Sequence, residues 1–243
     1  MFKESRKKYL SLYTALALGI LVLFHPAPAM ANIALDKVVL TFAPDERPVQ
    51  NITVTNHSDK PTKVTGTAFK ITNSGQPTES EAPAQDIALA PKAFELEPGQ
   101  SRMVRLVVRD FPENMEDIYR VRFKPDTPEY RTQETDSGTS VKIGVIMSMG
   151  ALVMVQPKVP QQNLIVTRDA TQLHYHNQGN TTVQLQREDF CNQDRSVCVP
   201  LEGKRIYPGM KWDLDIPKGL ENTAFTQTIL VNGNYSTLAY PLP

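Results

Sequence analysis

The chain holds only two cysteines, Cys191 and Cys198, and one tryptophan, Trp212. A zinc site needs about four ligands, and no second cysteine pair exists to supply them. The spacing of the two thiols is also not the C-x-x-C of a redox pair. Aromatic residues are 7 % of the chain, too few to line a stacking cleft for sugars. There is no Gly-x-Ser-x-Gly elbow, no glycine-rich phosphate loop and no dinucleotide fingerprint. Lysine and arginine number 26 against 26 for aspartate and glutamate, so the basic excess of a nucleic-acid partner is missing. No stretch sustains a helical apolar period. The apolar run from Leu10 to Phe24 is broken by Ser11, Tyr13, Thr14 and Gly19, and it is short of the roughly 20 residues that span a membrane.

What stands at the front is the pattern of an export signal. Lys3, Arg6, Lys7 and Lys8 precede the apolar run, and Ala29-Met30-Ala31 follows it as a small-x-small cleavage site. We expect cleavage after Ala31, a mature chain from Asn32, and export from the cytoplasm. Residues 1–31 hold four basic residues and one acidic, leaving 22 against 25 in the rest. In an oxidising compartment Cys191 and Cys198 are expected to pair. Closing so short a loop contributes roughly 2–3 kcal/mol on the chain-entropy model.

Strand-like runs separated by proline, glycine and asparagine fill the mature chain, which predicts an all-β sandwich architecture. The first strand is read over 33–42, followed by runs at 49–56, 62–71, 87–91, 102–108 and 118–123. Residues 73–85 and 126–138 are polar and read as loops. Pro157 and Pro160 mark a stiff linker. Smaller runs follow, with turns at Asn177-Gln178-Gly179-Asn180 and Asn232-Gly233-Asn234. The expected division is 32–158 and 159–243, two sandwiches with a cleft between them.

The stretch Ser140–Pro157 is apolar and long, with Lys142 its one charge. At period two, Val141, Ile143, Val145, Met147 and Met149 share a face, while Lys142, Gly144, Ile146, Ser148 and Gly150 share the other. Two readings stand at this point: a central core strand, or an edge strand of about 140–156 left open for another protein. Open edges are normally blunted by charge or proline, so an unblunted one implies pairing and invites self-association. Arg120, Arg122 and Lys124 share a strand face and could receive a carboxylate. Alternatively they form a solvated face paired with Asp189, Glu116 or Asp117. His174 and His176 point the same way on a strand, but no ligand set surrounds them and no metal is expected.

Three features in order resemble the periplasmic pilus-assembly chaperones of the chaperone–usher pathway. These are Phe94-x-Leu-x-Pro-Gly-Gln100 followed by Val104-Arg105, then Glu116-Asp-Ile-Tyr119, then the apolar strand ending Val155-Gln-Pro157. The opening Ala34-Leu-Asp-Lys and the turn from Asn56 to Pro61 fit as well. The resemblance implies two immunoglobulin-like domains in an L or boomerang arrangement. It implies a non-enzymatic chaperone without cofactor, nucleic acid or small-molecule substrate. Its partners would be pilus subunits and an outer-membrane usher. The donated residues would be Ile143, Val145 and Met147, flanked by Val141 and Met149. The best-known branch anchors the subunit carboxylate on basic residues where this chain has Val39 and Leu152, and an interdomain arginine is replaced by Gln156. The Tyr119-Arg120 pair and the cysteine pair resemble the alternate or archaic branches instead. Arg120, Arg122 or Lys142 is therefore the candidate anchor. The alternative reading is an exported β-sandwich subunit or adhesin of a pilus. A subunit should carry a mobile apolar extension at its mature start, whereas Asn32 leads straight into a strand. An exported hydrolase or sugar-binding sandwich would need clustered carboxylates or an aromatic cleft.

Overall fold

A computed structural model describes residues 32–126, 129–134, 140–191, 196–231 and 233–240, with the side chains of 129–134, 140–144, 225 and 231 outside that description. The expected export segment, residues 1–31, also lies outside it. Among the described residues there is no helix.

The first half is a sandwich. One sheet orders β1 (Ile33–Leu35), β3 (Val49–Asn56), β8 (Ser101–Val108) and β6 (Ile87–Ala90). The facing sheet orders β2 (Val39–Phe42), β12 (Met149–Val155), β9 (Asp117–Pro125), β4 (Thr62–Thr72) and β5 (Ser80–Pro83), with β7 (Ala93–Leu96) also against β4. The alternation of the sequence sets which side chains meet. Ile52 and Val54, Val104 and Leu106, Tyr119, Val121 and Phe123, and Ala151, Val153 and Val155 all turn into one core. Arg120, Arg122 and Lys124 face outward between those inward residues, as the pattern of β9 predicts.

The second half has its own core, centred on Leu173, Tyr175, Leu185, Ile206 and Ile229. Its sheets are β13 (Leu164–Arg168), β14 (Gln172–Asn177) and β19 (Lys211–Asp215), and β18 (Lys204–Ile206), β15 (Val183–Leu185), β20 (Phe225–Val231) and β21 (Asn234–Tyr240). A ribbon of β16 (Glu188–Cys191) and β17 (Cys198–Leu201) carries the expected Cys191–Cys198 disulfide between directly opposed residues. The protein is thus all-β, with two immunoglobulin-like sandwiches.

Both sandwiches close with the same device. Asn56, at the end of β3, donates from Nδ2 to the carbonyls of Lys60 and Leu96, and accepts Ser58 N–H at Oδ1. Asn177, at the end of β14, donates to Thr181 and Ile206 and accepts Gly179 N–H. A Pro-Gly turn docks on each: Gly99 N–H bonds Asn56 O, and Gly209 N–H bonds Asn177 O. Both glycines have positive φ, 74° and 75°, which a side chain at those positions would disfavour. Each asparagine is fully buried, so its amide must satisfy backbone groups that have no water.

Four sequence expectations need correcting. The run 33–42 is two strands, because Asp36 caps the first one: Thr53 N–H donates to Asp36 Oδ1 at 2.7 Å, and Asp36 N–H to Thr53 O. The chain then crosses to the facing sheet, where β2 runs parallel to β12. Residues 73–85 include strand β5, paired with β4 from Phe69 to Thr72. Residues 126–138 include β10 (Glu129–Glu134), paired with β11 (Ser140–Val145). Finally, 140–157 is not one strand. The β9–β12 ladder ends at Phe123 opposite Met149, and pairing resumes at Glu129 opposite Val145. Lys124 and Pro125 keep their pairing with β4 but have no partner recorded on the side of residues 146–148. Pro125 has no N–H with which to continue the ladder.

Candidate functional site

The strand that the sequence singles out is half interior and half edge. From Leu152 to Val155, β12 lies between β2 and β9. β2 reaches no further along it. From Ser140 to Gly150 the described pairing is on one side only, through β10 and β9. The expected edge of 140–156 is thus shorter, because β2 covers its end. At the break the apolar side chains are open: Val145 is 42 %, Ile146 42 % and Met147 48 % exposed. Met149 packs against the core of the first sandwich. The side chains of Val141, Lys142 and Ile143 lie outside the described residues. Ile146 is an addition to the expected row. Its pattern position puts it on the opposite face, and it is exposed because the ladder lapses there.

The outward face of the same sheet carries the arginines. Arg120 lies opposite Leu152 on one side and Phe69 on the other, and Leu152 lies opposite Val39. Val39, Leu152, Arg120 and Phe69 thus form one transverse row over four strands. One step along, Arg122 lies between Gly150 and Thr67. The glycine puts no side chain over the neighbouring strand. A Cβ there would stand 3.9 Å from Arg120 Cγ and 4.0 Å from Arg122 Cγ.

The acidic partners of these arginines are not Asp189, Glu116 or Asp117. Arg120 binds Glu81, and its Nη2 stands 3.2 Å from Glu79 Oε1. Arg122 Nη2 stands 2.8 Å from Glu81 Oε2 and its guanidinium lies over the Phe69 ring at 5.0 Å. Asp117 is taken by Lys70 at 2.7 Å and by the Tyr119 hydroxyl at 3.2 Å. Tyr119 also donates to Asp86 at 2.5 Å. Its burial and those two carboxylates push the phenol well above its ordinary range.

Glu116 instead joins the two sandwiches. It is buried, and its Oε2 accepts the Thr182 N–H at 2.9 Å and the Thr182 hydroxyl. Its own N–H donates to Asn180 O, and Asn180 Nδ2 donates to Asn114 O and Val159 O, each at 3.0 Å. Gly179 sits within this joint, where a Cβ would come within 2.6 Å of Asn163 N and Gln161 O. Burial pushes the Glu116 carboxyl above its ordinary 4.5, while Thr182 and the charge of Arg205 pull it partly back. A carboxyl with a raised folded pKa contributes its stability below the unfolded pKa, and the contribution is lost as pH rises through the folded value. Glu116→Gln is therefore expected to flatten the pH profile of stability, gaining on the native protein as pH rises from around 4 toward neutrality. Urea unfolding across that range checks this. A variant whose pH profile parallels that of the native protein would overturn it.

The histidines have protein partners. His174 Nδ1 lies 2.8 Å from Asp213 and Nε2 3.1 Å from Asp169, which hold the ring above its usual pKa. His176 pairs with Gln178. Among the described residues no group of three His, Cys, Asp or Glu side chains is placed to hold a metal ion.

Residues 32–161 match the family of pili and flagellar-assembly chaperones through its PapD N-terminal domain. The chain belongs to that family. Solved structures share its fold over most of its length. The SafB chaperone, solved with the SafA pilin of Salmonella enterica, has a TM-score of 0.61 at 18 % identity, covering 89 % of this chain and 99 % of that one. The E. coli chaperone DraB gives 0.59 at 17 % identity, covering 87 % and 96 %. The Pseudomonas aeruginosa CupB2 chaperone gives 0.53 at 11 %, covering 86 % and 100 %. No curated protein matches the chain in sequence.

Proposed function

We propose that this protein is a periplasmic chaperone that captures pilus subunits by lending them the open edge of residues 140–151 and delivers them to an outer-membrane usher. The observation that carries the reading is the apolar run Val145-Ile146-Met147, exposed side by side where the strand ladder lapses. An extended partner segment adds main-chain bonds along that edge, and the alternating side chains Ile143, Val145 and Met147 enter its groove, with Val141 and Met149 flanking them. Residues 1–31 serve as the export signal, cleaved after Ala31. Residues 32–158 form the capturing domain and 159–243 the second domain. The reaction is binding, without cofactor. Arg120, with Arg122 and Lys142 beside it, receives the carboxylate of the subunit. Arg120 supports this best, because it shares a transverse row with Val39 and Leu152, where the family's best-known branch places its basic anchors.

Co-expression with a candidate pilus subunit tests the reading. A stable one-to-one periplasmic complex is expected. Absence of any complex with subunits that aggregate when expressed alone would overturn it.

A further inference from the structure

The two arginines on β9 are not waiting empty. Glu81 is bracketed by both guanidiniums, and Glu79 takes the remaining reach of Arg120. These carboxylates come from the start of β5 and the residue before it. Among the described residues β5 ends the strand order of its sheet and pairs with β4 alone, over four residues. The arginine side chains are 36 % exposed, so solvent weakens the ion pairs, and pairs of this kind are worth little each. Glu79 also accepts the Gly75 N–H at 2.9 Å, an anchor that is independent of the arginines.

Resting on the proposed carboxylate role of Arg120, we propose that Glu79 and Glu81 are internal stand-ins for the partner's carboxylate. They hold Arg120 and Arg122 in the free protein and yield them when a subunit binds. Two guanidiniums one turn of the pleat apart, on the same outward face, form a fork that fits a single carboxylate. Glu81 already occupies that fork in the way an incoming carboxylate would. A site filled by its own weak acid keeps the arginines oriented and charge-neutral. It also raises the threshold for ligands that bring a carboxylate without pairing along the strand. Selectivity then follows from two simultaneous requirements. The partner's backbone must add to the edge at 140–151, and its carboxylate must outcompete β5.

The test uses the full mature chain and an extended synthetic peptide of alternating apolar and polar residues, made with a free C-terminal carboxylate and as its amide. The readout is the ratio of the two affinities. In Glu79→Gln plus Glu81→Gln the ratio is expected to rise about three- to tenfold, the scale of releasing weak exposed ion pairs. In Arg120→Ala it is expected to fall to near one. A ratio unchanged by the glutamate variants but lost in Arg120→Ala overturns the stand-in role and leaves the arginine role standing. A ratio of one in the native protein and in every variant overturns both. Peptide binding that survives Ile143→Asp plus Val145→Asp, or no binding by any form, overturns the strand-lending reading beneath them. Should the double glutamate variant lose its native circular dichroism, Glu79→Gln alone takes its place. It removes the 3.2 Å pair and leaves Glu81 and the β4–β5 pairing intact. It is expected to raise the ratio in the same direction, and no rise overturns the inference.

Discussion

Ile143→Asp plus Val145→Asp is expected to abolish capture of a pilus subunit while leaving the protein folded. The asymmetry follows from the position of the break. The core strand begins at Met149, and Val153 and Val155 are sealed within the sandwich. Val145 precedes the break and is 42 % exposed, so a charge there meets water in the free protein. In a complex the same position would be buried in the partner's groove. Each apolar side chain buried there contributes roughly 1.5–3 kcal/mol. Losing two costs about 3–6 kcal/mol, or roughly a hundred- to ten-thousandfold in affinity, before the added cost of burying unpaired carboxylates. Pull-down of the subunit with the double variant, alongside a thermal melt, checks both halves. Retained capture would make the edge incidental. A collapsed melt would show that β11 belongs to the core.

The second large effect is expected from the buried asparagines. Asn177→Ala removes the donor to two carbonyls, Thr181 O and Ile206 O, and the acceptor for Gly179 N–H. A buried group left without a partner costs about 1–3 kcal/mol. The loss should therefore reach about 2–4 kcal/mol, with Asn56→Ala costing a similar amount in the first sandwich. The single tryptophan separates the two. Trp212 lies against Tyr175 in the second sandwich, with ring centroids 5.2 Å apart. Its fluorescence in urea should shift strongly for Asn177→Ala and little for Asn56→Ala, whose loss should appear in the far-ultraviolet signal. A shift under 1 kcal/mol for Asn177→Ala would refute the role given to its amide.

Much of this was legible in the chain, and the reasons differ by residue. The inward row Tyr119-Val121-Phe123 follows from period two alone, because the alternate positions are the basic Arg120, Arg122 and Lys124, whereas Ala151 to Val155 is apolar at every position and does not say which face turns inward. The turn at Pro98-Gly99 is written in residue types that favour it. The strand break at 146–148 was not legible from the strand itself. Its cause lies in the partner, at Pro125, and no local pattern in 140–157 records where a neighbouring ladder ends. The partners of Arg120 were missed for a related reason. Glu79 and Glu81 sit in a polar stretch that looks like a loop, and only the pairing of Ser80–Pro83 with β4 brings them across to β9. The buried asparagines did leave a signal. Each stands at the end of an alternating run, with a Pro-Gly turn later in the same half.

The position of β12 also bears on how the protein itself comes to fold. It is the last strand of the first sandwich to be synthesised, yet it lies between β2 and β9, joining Leu152 to Val39 across roughly 110 residues of chain. Every earlier strand emerges before the facing sheet can close, and Leu40 and Tyr119 have no strand between them until Val153 arrives. Closing a loop of that length is slow compared with local hairpins. During that interval the first half of the nascent chain is a sandwich still lacking one strand. Under the proposed function, a protein that lends a strand to its partner first has to insert one of its own.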